Sequence, residues 1–188
     1  GGAIVTSSKD FAERARKFAS HGITRTSDPT VRDPWVYDVE ELGLNYRPSE
    51  LQAALAVSQL ARLAKFKKAR KRLFNRYHHE LGHIENLGLP SEPVNSDVMW
   101  HLFPVRVRAS ERLALYRYLH SQGILAQVNY IPVYFHSLFD KREYPQGLCP
   151  GAEVFYSEEL SLPIHAGLTT MKQVRIIKAI KRFYLGAN

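Results

Sequence analysis

The stretch from Ser49 to Leu81 contains neither glycine nor proline, and Pro48 stands just ahead of it. Nothing else in the chain limits the fold so strongly. At 1.5 Å per residue such a run makes roughly 50 Å of helix, bent or broken once. Its first part, LQAALAVSQLA (Leu51 to Ala61), is apolar on nearly every face, and a helix of that kind must be covered on all sides. A partner subunit or a further domain is the natural cover. Its second part holds Arg62, Lys65, Lys67, Lys68, Arg70, Lys71, Arg72 and Arg76, much of the excess behind a net charge of +8. These charges fall on several faces rather than in one stripe, which predicts a solvated helix surface and no nucleic-acid partner.

Around this helix the pattern is α/β. Gly2 to Ser7 reads as a short buried strand, followed by a helix that Ser8 caps and that carries Phe11, Ala15, Phe18 and Ala19 on one face. That helix stops at Ser20-His21-Gly22, where glycine can take the left-handed conformation. From Ile23 to Gly43 no period is visible, and Asp28-Pro29 and Asp33-Pro34 break any helix, so an ordered and functional loop is expected. Beyond Gly82, a strand is expected over Met99–Val107, a helix over Glu111–Gln122 and a second strand region over Gly123–Tyr134. A short helix near Ala152–Glu159, an extended piece over Leu160–Pro163, and a last amphipathic helix capped by Thr169 or Thr170 complete the series. Strands and helices in this order make a small open sheet with helices on one side. At 45% hydrophobic and 11% aromatic residues the chain can bury a core for it.

Several function classes find no support. No apolar run reaches the length of a membrane span, and the start lacks the basic and apolar segments of a secretory signal. The single Cys149 cannot form an internal disulfide, which points to a reducing compartment, read here as the cytoplasm. His79 and His83 have a spacing that can bind zinc, but no HExxH glutamate accompanies them, so no metal site is expected. Gly1-Gly2 opens no phosphate loop, and Ser58 and Ser161 lack the GxSxG setting of a nucleophile.

Three groups of residues do carry a resemblance to known proteins. The first is GGAIVTSS with SHGITR (Ser20 to Arg25), and the second is LGLNYRPSELQAALAVSQLARL (Leu42 to Leu63). The third is WHLFPVRV, then VNYIPVYFHSLF (Val128 to Phe139), then EELSLPIHAGLT (Glu158 to Thr169). In order and spacing they resemble the DegT-type nucleotide-sugar aminotransferases of fold type I, almost from end to end. SHGITR and YIPVY are most similar to the members that act on the route to pseudaminic acid.

The resemblance implies a fold and a reaction. The fold is the α/β C-terminal small domain of a fold type I aminotransferase, from residue 46 to 188, with helices packed on a small sheet and one long helix. Residues 1–45 are then a strand-helix remnant of the large pyridoxal-phosphate (PLP) binding domain, with its loop. The reaction moves an amino group from L-glutamate to the C4 ketone of a UDP-linked 4-keto-6-deoxy hexose, with PLP as cofactor and a homodimer as the working form. The Schiff-base lysine is expected just upstream of Gly1, so no catalytic residue is assigned here and the chain by itself is expected to be inactive. Asn45, in NYR, is implied to reach the neighbouring subunit's cofactor phosphate and substrate, with Arg47 either steadying the loop or adding positive charge near the phosphates. Asn129, Tyr130, Ile131, Pro132 and Val133 are implied to contact the sugar nucleotide, with Tyr134 and His136 framing the pocket. Two rival readings remain at this point. One is a relative acting on another nucleotide sugar, perosamine-type or 3-keto; the other is a non-enzymatic basic helical module.

Overall fold

The computed structural model describes residues 2–24 and 35–186, which pack as two compact units, Gly1–Ala61 and Arg62–Asn188. Arg25, Asp28-Pro29 and Asp33-Pro34 lie outside the described residues.

In the first unit α1 spans Lys9–Ala19, and the Ser8 hydroxyl caps it by accepting the Phe11 N–H at 3.2 Å. Asp10 in its first turn and Arg16 and Lys17 in its last suit the helix dipole. The chain then turns through His21 and Gly22, with φ of +63° and +68°. A side chain at Gly22 would meet the Glu41 carbonyl oxygen at 1.8 Å, so only glycine allows the close approach of these two segments. Backbone bonds then fasten Phe18–Gly22 to Glu40–Tyr46: His21 donates to Leu44, Leu44 to Phe18, Tyr46 to Ala19 and Glu40 to Gly22. A short antiparallel pair, β1 (Ile23–Thr24) and β2 (Asp38–Val39), continues the contact, so part of the expected loop is sheet. The last element of the unit is α2, Glu50–Ala61. Ser49 and Gln52 cap it reciprocally: the Ser49 N–H donates to Gln52 Oε1 at 2.8 Å, and the Gln52 N–H to Ser49 Oγ at 3.4 Å.

The expected strand over Gly2–Ser7 does not form. It has no ladder partner among the described residues and stays exposed, Val5 to 96%. A strand exists only where a neighbour takes its backbone groups, and apolar composition alone supplies none.

The expected long helix is divided. Arg62 leaves helical geometry (φ −101°, ψ 3°), and α3 runs from Leu63 to Leu81 as the first element of the second unit. Here a core forms. Three antiparallel strands lie in the order β3 (Leu87–Gly88), β4 (Phe103–Val107), β5 (Glu159–Leu162). Along β4, Phe103, Val105 and Val107 are buried while Pro104 and Arg106 are not, the period of two of a strand with one covered face. Helices α3, α4 (Ala109–Ser121), α5 (Pro150–Glu158) and α6 (Thr170–Leu185, capped by Thr169) accompany the sheet. The core joins Phe74, stacked on Trp100 with ring centres 3.8 Å apart, to Phe103, Leu115, Leu160 and Ile180. Each such side chain contributes about 1.5–3 kcal/mol on burial.

The basic run is only partly solvated. Lys65, Lys68 and Arg72 are exposed, but Lys67 pairs with Asp97 and Lys71 with Glu92. Arg70 Nη1 donates to three carbonyls, of Trp100 (2.8 Å), His101 (3.0 Å) and Ile164 (3.0 Å). Arg76 reaches Gln173 Oε1 at 3.3 Å. These cations fasten α3 to loops and to α6, a use that spacing along the helix could not reveal.

Candidate functional site

The residues singled out in the sequence fall into two groups, one in each unit. In the first unit Asn45 sits where the strand-like segment 44–46 runs beside the end of α1, bridged to Ser20. This backbone pairing puts three polar side chains together. Asn45 Oδ1 accepts from Arg47 Nε at 3.2 Å, and Arg47 Nη2 lies 3.0 Å from His21 Nε2. A guanidinium can only donate, so His21 Nε2 is the acceptor and its proton sits on Nδ1. Asn45 Nδ2 has no acceptor among the described residues, so an amide donor is left beside a guanidinium held in a fixed orientation. All three residues are exposed. That donor set suits an anionic oxygen, above all a phosphate. His21 belongs to SHGITR, but its link to Arg47 spans 26 positions and could not be read from the motif.

In the second unit, Asn129 to Val133 leaves the edge of β5. Gln127 and Ser161 exchange backbone bonds of 3.1 and 2.7 Å in an isolated bridge, and no strand follows. The expected strand region over Gly123–Tyr134 is thus a bridge and then a short 3-10 turn over Val133–Phe135. The reason is local: Pro132 has no N–H to donate, and the Asn129 N–H goes to the Glu159 carboxylate at 2.6 Å. The peptide bond between Asn129 and Tyr130 is cis. Tyr130 is 71% exposed, Ile131 and Val133 are exposed, and Pro132 is buried. A shallow groove of about 200 Å³ borders the segment, lined by His101, Gln127, Asn129 and Ser161 among others.

Tyr134 does not open into that groove. It is buried; its hydroxyl donates to Glu153 Oε1 at 2.7 Å and accepts the Cys149 N–H at 3.2 Å. Burial first, and then the Glu153 carboxylate, push its phenol up to about 12. His136 is exposed just after the turn. Glu159 went unnoticed in the sequence. It is fully buried and takes the Ser161 hydroxyl on Oε1 at 2.5 Å as well as the Asn129 amide. Burial raises its carboxyl above the ordinary value, while Ser161, the Asn129 amide and Arg112 pull the other way. A glutamate at the start of ELSL, otherwise a buried strand sequence, was the available signal.

The model of the DegT/DnrJ/EryC1/StrS aminotransferase family matches residues 1–181. The chain is 32% identical, over 97% of its length, to dTDP-3-amino-3,4,6-trideoxy-alpha-D-glucose transaminase of Streptomyces venezuelae, covering 45% of that protein. It is equally 32% identical, over 89% of its length, to UDP-4-amino-4,6-dideoxy-N-acetyl-beta-L-altrosamine transaminase of Helicobacter pylori, covering 44% of it. Among solved structures, S. venezuelae DesV in complex with a ketimine intermediate superposes with a TM-score of 0.86 at 31% identity, over 98% of this chain and 47% of that one. The chain spans about half the length of the curated relatives it matches. Its α/β architecture is therefore that of part of a fold type I PLP aminotransferase, and the chain belongs to the DegT/DnrJ/EryC1/StrS aminotransferase family.

Proposed function

We propose that this chain works as the C-terminal part of a PLP-dependent aminotransferase, carrying an amino group from L-glutamate to the C4 ketone of a UDP-linked 4-keto-6-deoxy hexose. The observation that carries the reading is the Asn45–Arg47–His21 cluster, a set of oriented donors in a member of a sugar aminotransferase family. The donors fit the cofactor. PLP bears a phosphate, and the Asn45 amide N–H groups with the adjacent guanidinium offer neutral and charged donors to its oxygens. When bound, PLP supplies the electron sink that lets a C–N bond be exchanged. Asn45 and Arg47 bind and orient, in the neighbouring subunit of a homodimer, while His21 holds Arg47 in place. The exposed faces of Tyr130, Ile131 and Val133 contact the sugar nucleotide, with buried Pro132 as their anchor, and Asn129 offers its amide beside them.

A second reading has its own support. The relative whose name specifies a dTDP-linked 3-amino sugar is as similar as the one whose name specifies a UDP-linked 4-amino sugar. Incubation of the complete enzyme with amino-labelled L-glutamate and each keto sugar, followed by mass and NMR analysis, separates the two. The label is expected at C4 of the UDP sugar. Label at C3 of a dTDP sugar instead would replace the first reading with the second, and no transfer to either would overturn both.

A further inference from the structure

We propose that Glu159 is the positioning residue of the sugar-nucleotide segment: its carboxylate ends the sheet at Asn129 and so aims Tyr130 to Val133 away from it. The proposal rests on the reading of that segment given above.

The argument starts from register. Gln127 lies opposite Ser161. Two residues further along one chain and two back along the other, a continued antiparallel ladder would put Asn129 opposite Glu159 and bond its N–H to the Glu159 carbonyl. The structure shows a substitution of acceptor at that point. The Asn129 N–H donates to Glu159 Oε2 at 2.6 Å, so the side chain takes the bond that the backbone would have taken. The other oxygen is held by the Ser161 hydroxyl at 2.5 Å, which locks the carboxylate against β5.

Glu159 is 0% exposed, and its strand is buried at all four residues. An apolar residue would cost less there, because a buried carboxylate must be compensated by hydrogen bonds and nearby charge. The compensation is Asn129, Ser161 and Arg112. Arg112 comes from α4 and is itself fixed by its bond to the Tyr156 carbonyl and by lying 5.0 Å above the Tyr156 ring. Pro132, without an N–H, then prevents the ladder from resuming. What this device leaves at the surface is a segment that exposes the side chains of Tyr130, Ile131 and Val133.

The test uses the complete enzyme and both of its substrates. Glu159→Ala is expected to raise KM for the nucleotide sugar about tenfold, with kcat and KM for L-glutamate changed by less than about twofold. Glu159→Gln, which keeps a carbonyl oxygen for the Asn129 amide, is expected to restore most of the loss. A change in both KM values together would mean general structural damage and overturn the proposal. Tyr130→Ala is the control for the segment itself. If it raises the nucleotide-sugar KM while Glu159→Ala does not, Glu159 has no positioning role and the binding segment stands. If neither substitution moves that KM, the segment does not bind the sugar and both readings fall. Should Glu159→Ala not fold, the Asn129 amide proton decides. In the unsubstituted protein its NMR shift is expected to follow titration of the Glu159 carboxyl and to lose that dependence in Glu159→Gln; a flat profile in the former would overturn the proposal.

Discussion

Tyr77 is fully buried in α3, and its hydroxyl donates to the Pro163 carbonyl at 2.8 Å. Burial drives its phenol far above the ordinary range, so it remains a donor at any working pH. Tyr77→Phe should lower unfolding free energy by about 1–3 kcal/mol, because the Pro163 carbonyl then loses its donor, and denaturant titration checks this. Glu159 gives a pH signature at the acid end of the scale. Its folded carboxyl lies above the ordinary 4.5, so the folded state holds the proton to higher pH than the unfolded chain. That contribution is complete below about pH 4.5 and fades as pH climbs through the folded value. The stability of the unsubstituted protein relative to Glu159→Gln should therefore fall as pH rises above about 4.5. At Asn45, substitution by alanine should weaken cofactor or substrate binding about ten- to hundredfold, the worth of roughly 1.5–3 kcal/mol for a hydrogen bond to a charged group, with little change in Tm. If Asn45 serves only its turn, Tm drops and affinity holds. Asn45 and Arg47 stood out in the sequence because NYR followed by SELQAAL resembles a family motif. His21 and Glu159 did not, because partners 26 and 30 positions away leave no local trace.

Among the elements, the helices were the most legible, since each carries its own backbone bonds and three of them carry a side-chain cap. Ser8, Thr169 and the Ser49–Gln52 pair all act at the starts of helices. Strands were less so. Gly2–Ser7 has strand composition but no partner among the described residues, and Gly123–Tyr134 is ended by Pro132 and by a side-chain acceptor. A single bend or break was expected in the long run, but nothing placed it at Arg62, because no glycine or proline announces it. Arg70 shows how a charge in a helical run becomes a staple. Arg70→Met keeps the stem but removes the donor to the Trp100, His101 and Ile164 carbonyls. A loss of about 1–3 kcal/mol is expected, with the largest gain in amide exchange near residues 100 and 164. Exchange unchanged at both places would show that the three carbonyls find water instead.

The two units differ in what they bury. The second has a continuous core, whereas neither α1 nor α2 in the first holds a single buried residue. In α2, Leu51 is 84% exposed, and Leu55, Val57 and Leu60 are exposed beside it. Large apolar side chains exposed around a whole helix are uncommon on a monomer. The chain alone should therefore associate, with a light-scattering mass that rises with concentration, and Leu51→Glu with Leu55→Glu should reduce it. A compact monomer at all concentrations would argue against an interface there. The same region holds Asn45, which on the proposed reading acts in the neighbour's site, so interface and chemistry can be tested together in mixed dimers of the complete enzyme. One subunit carries Asn45→Ala, and the other lacks the Schiff-base lysine. Each homodimer should be weak or inactive, whereas the mixed dimer has one site that pairs an intact lysine with an intact Asn45. Activity near half that of the unsubstituted dimer is the expected result; no recovery in verified mixed dimers would contradict it and return Asn45 to its own subunit.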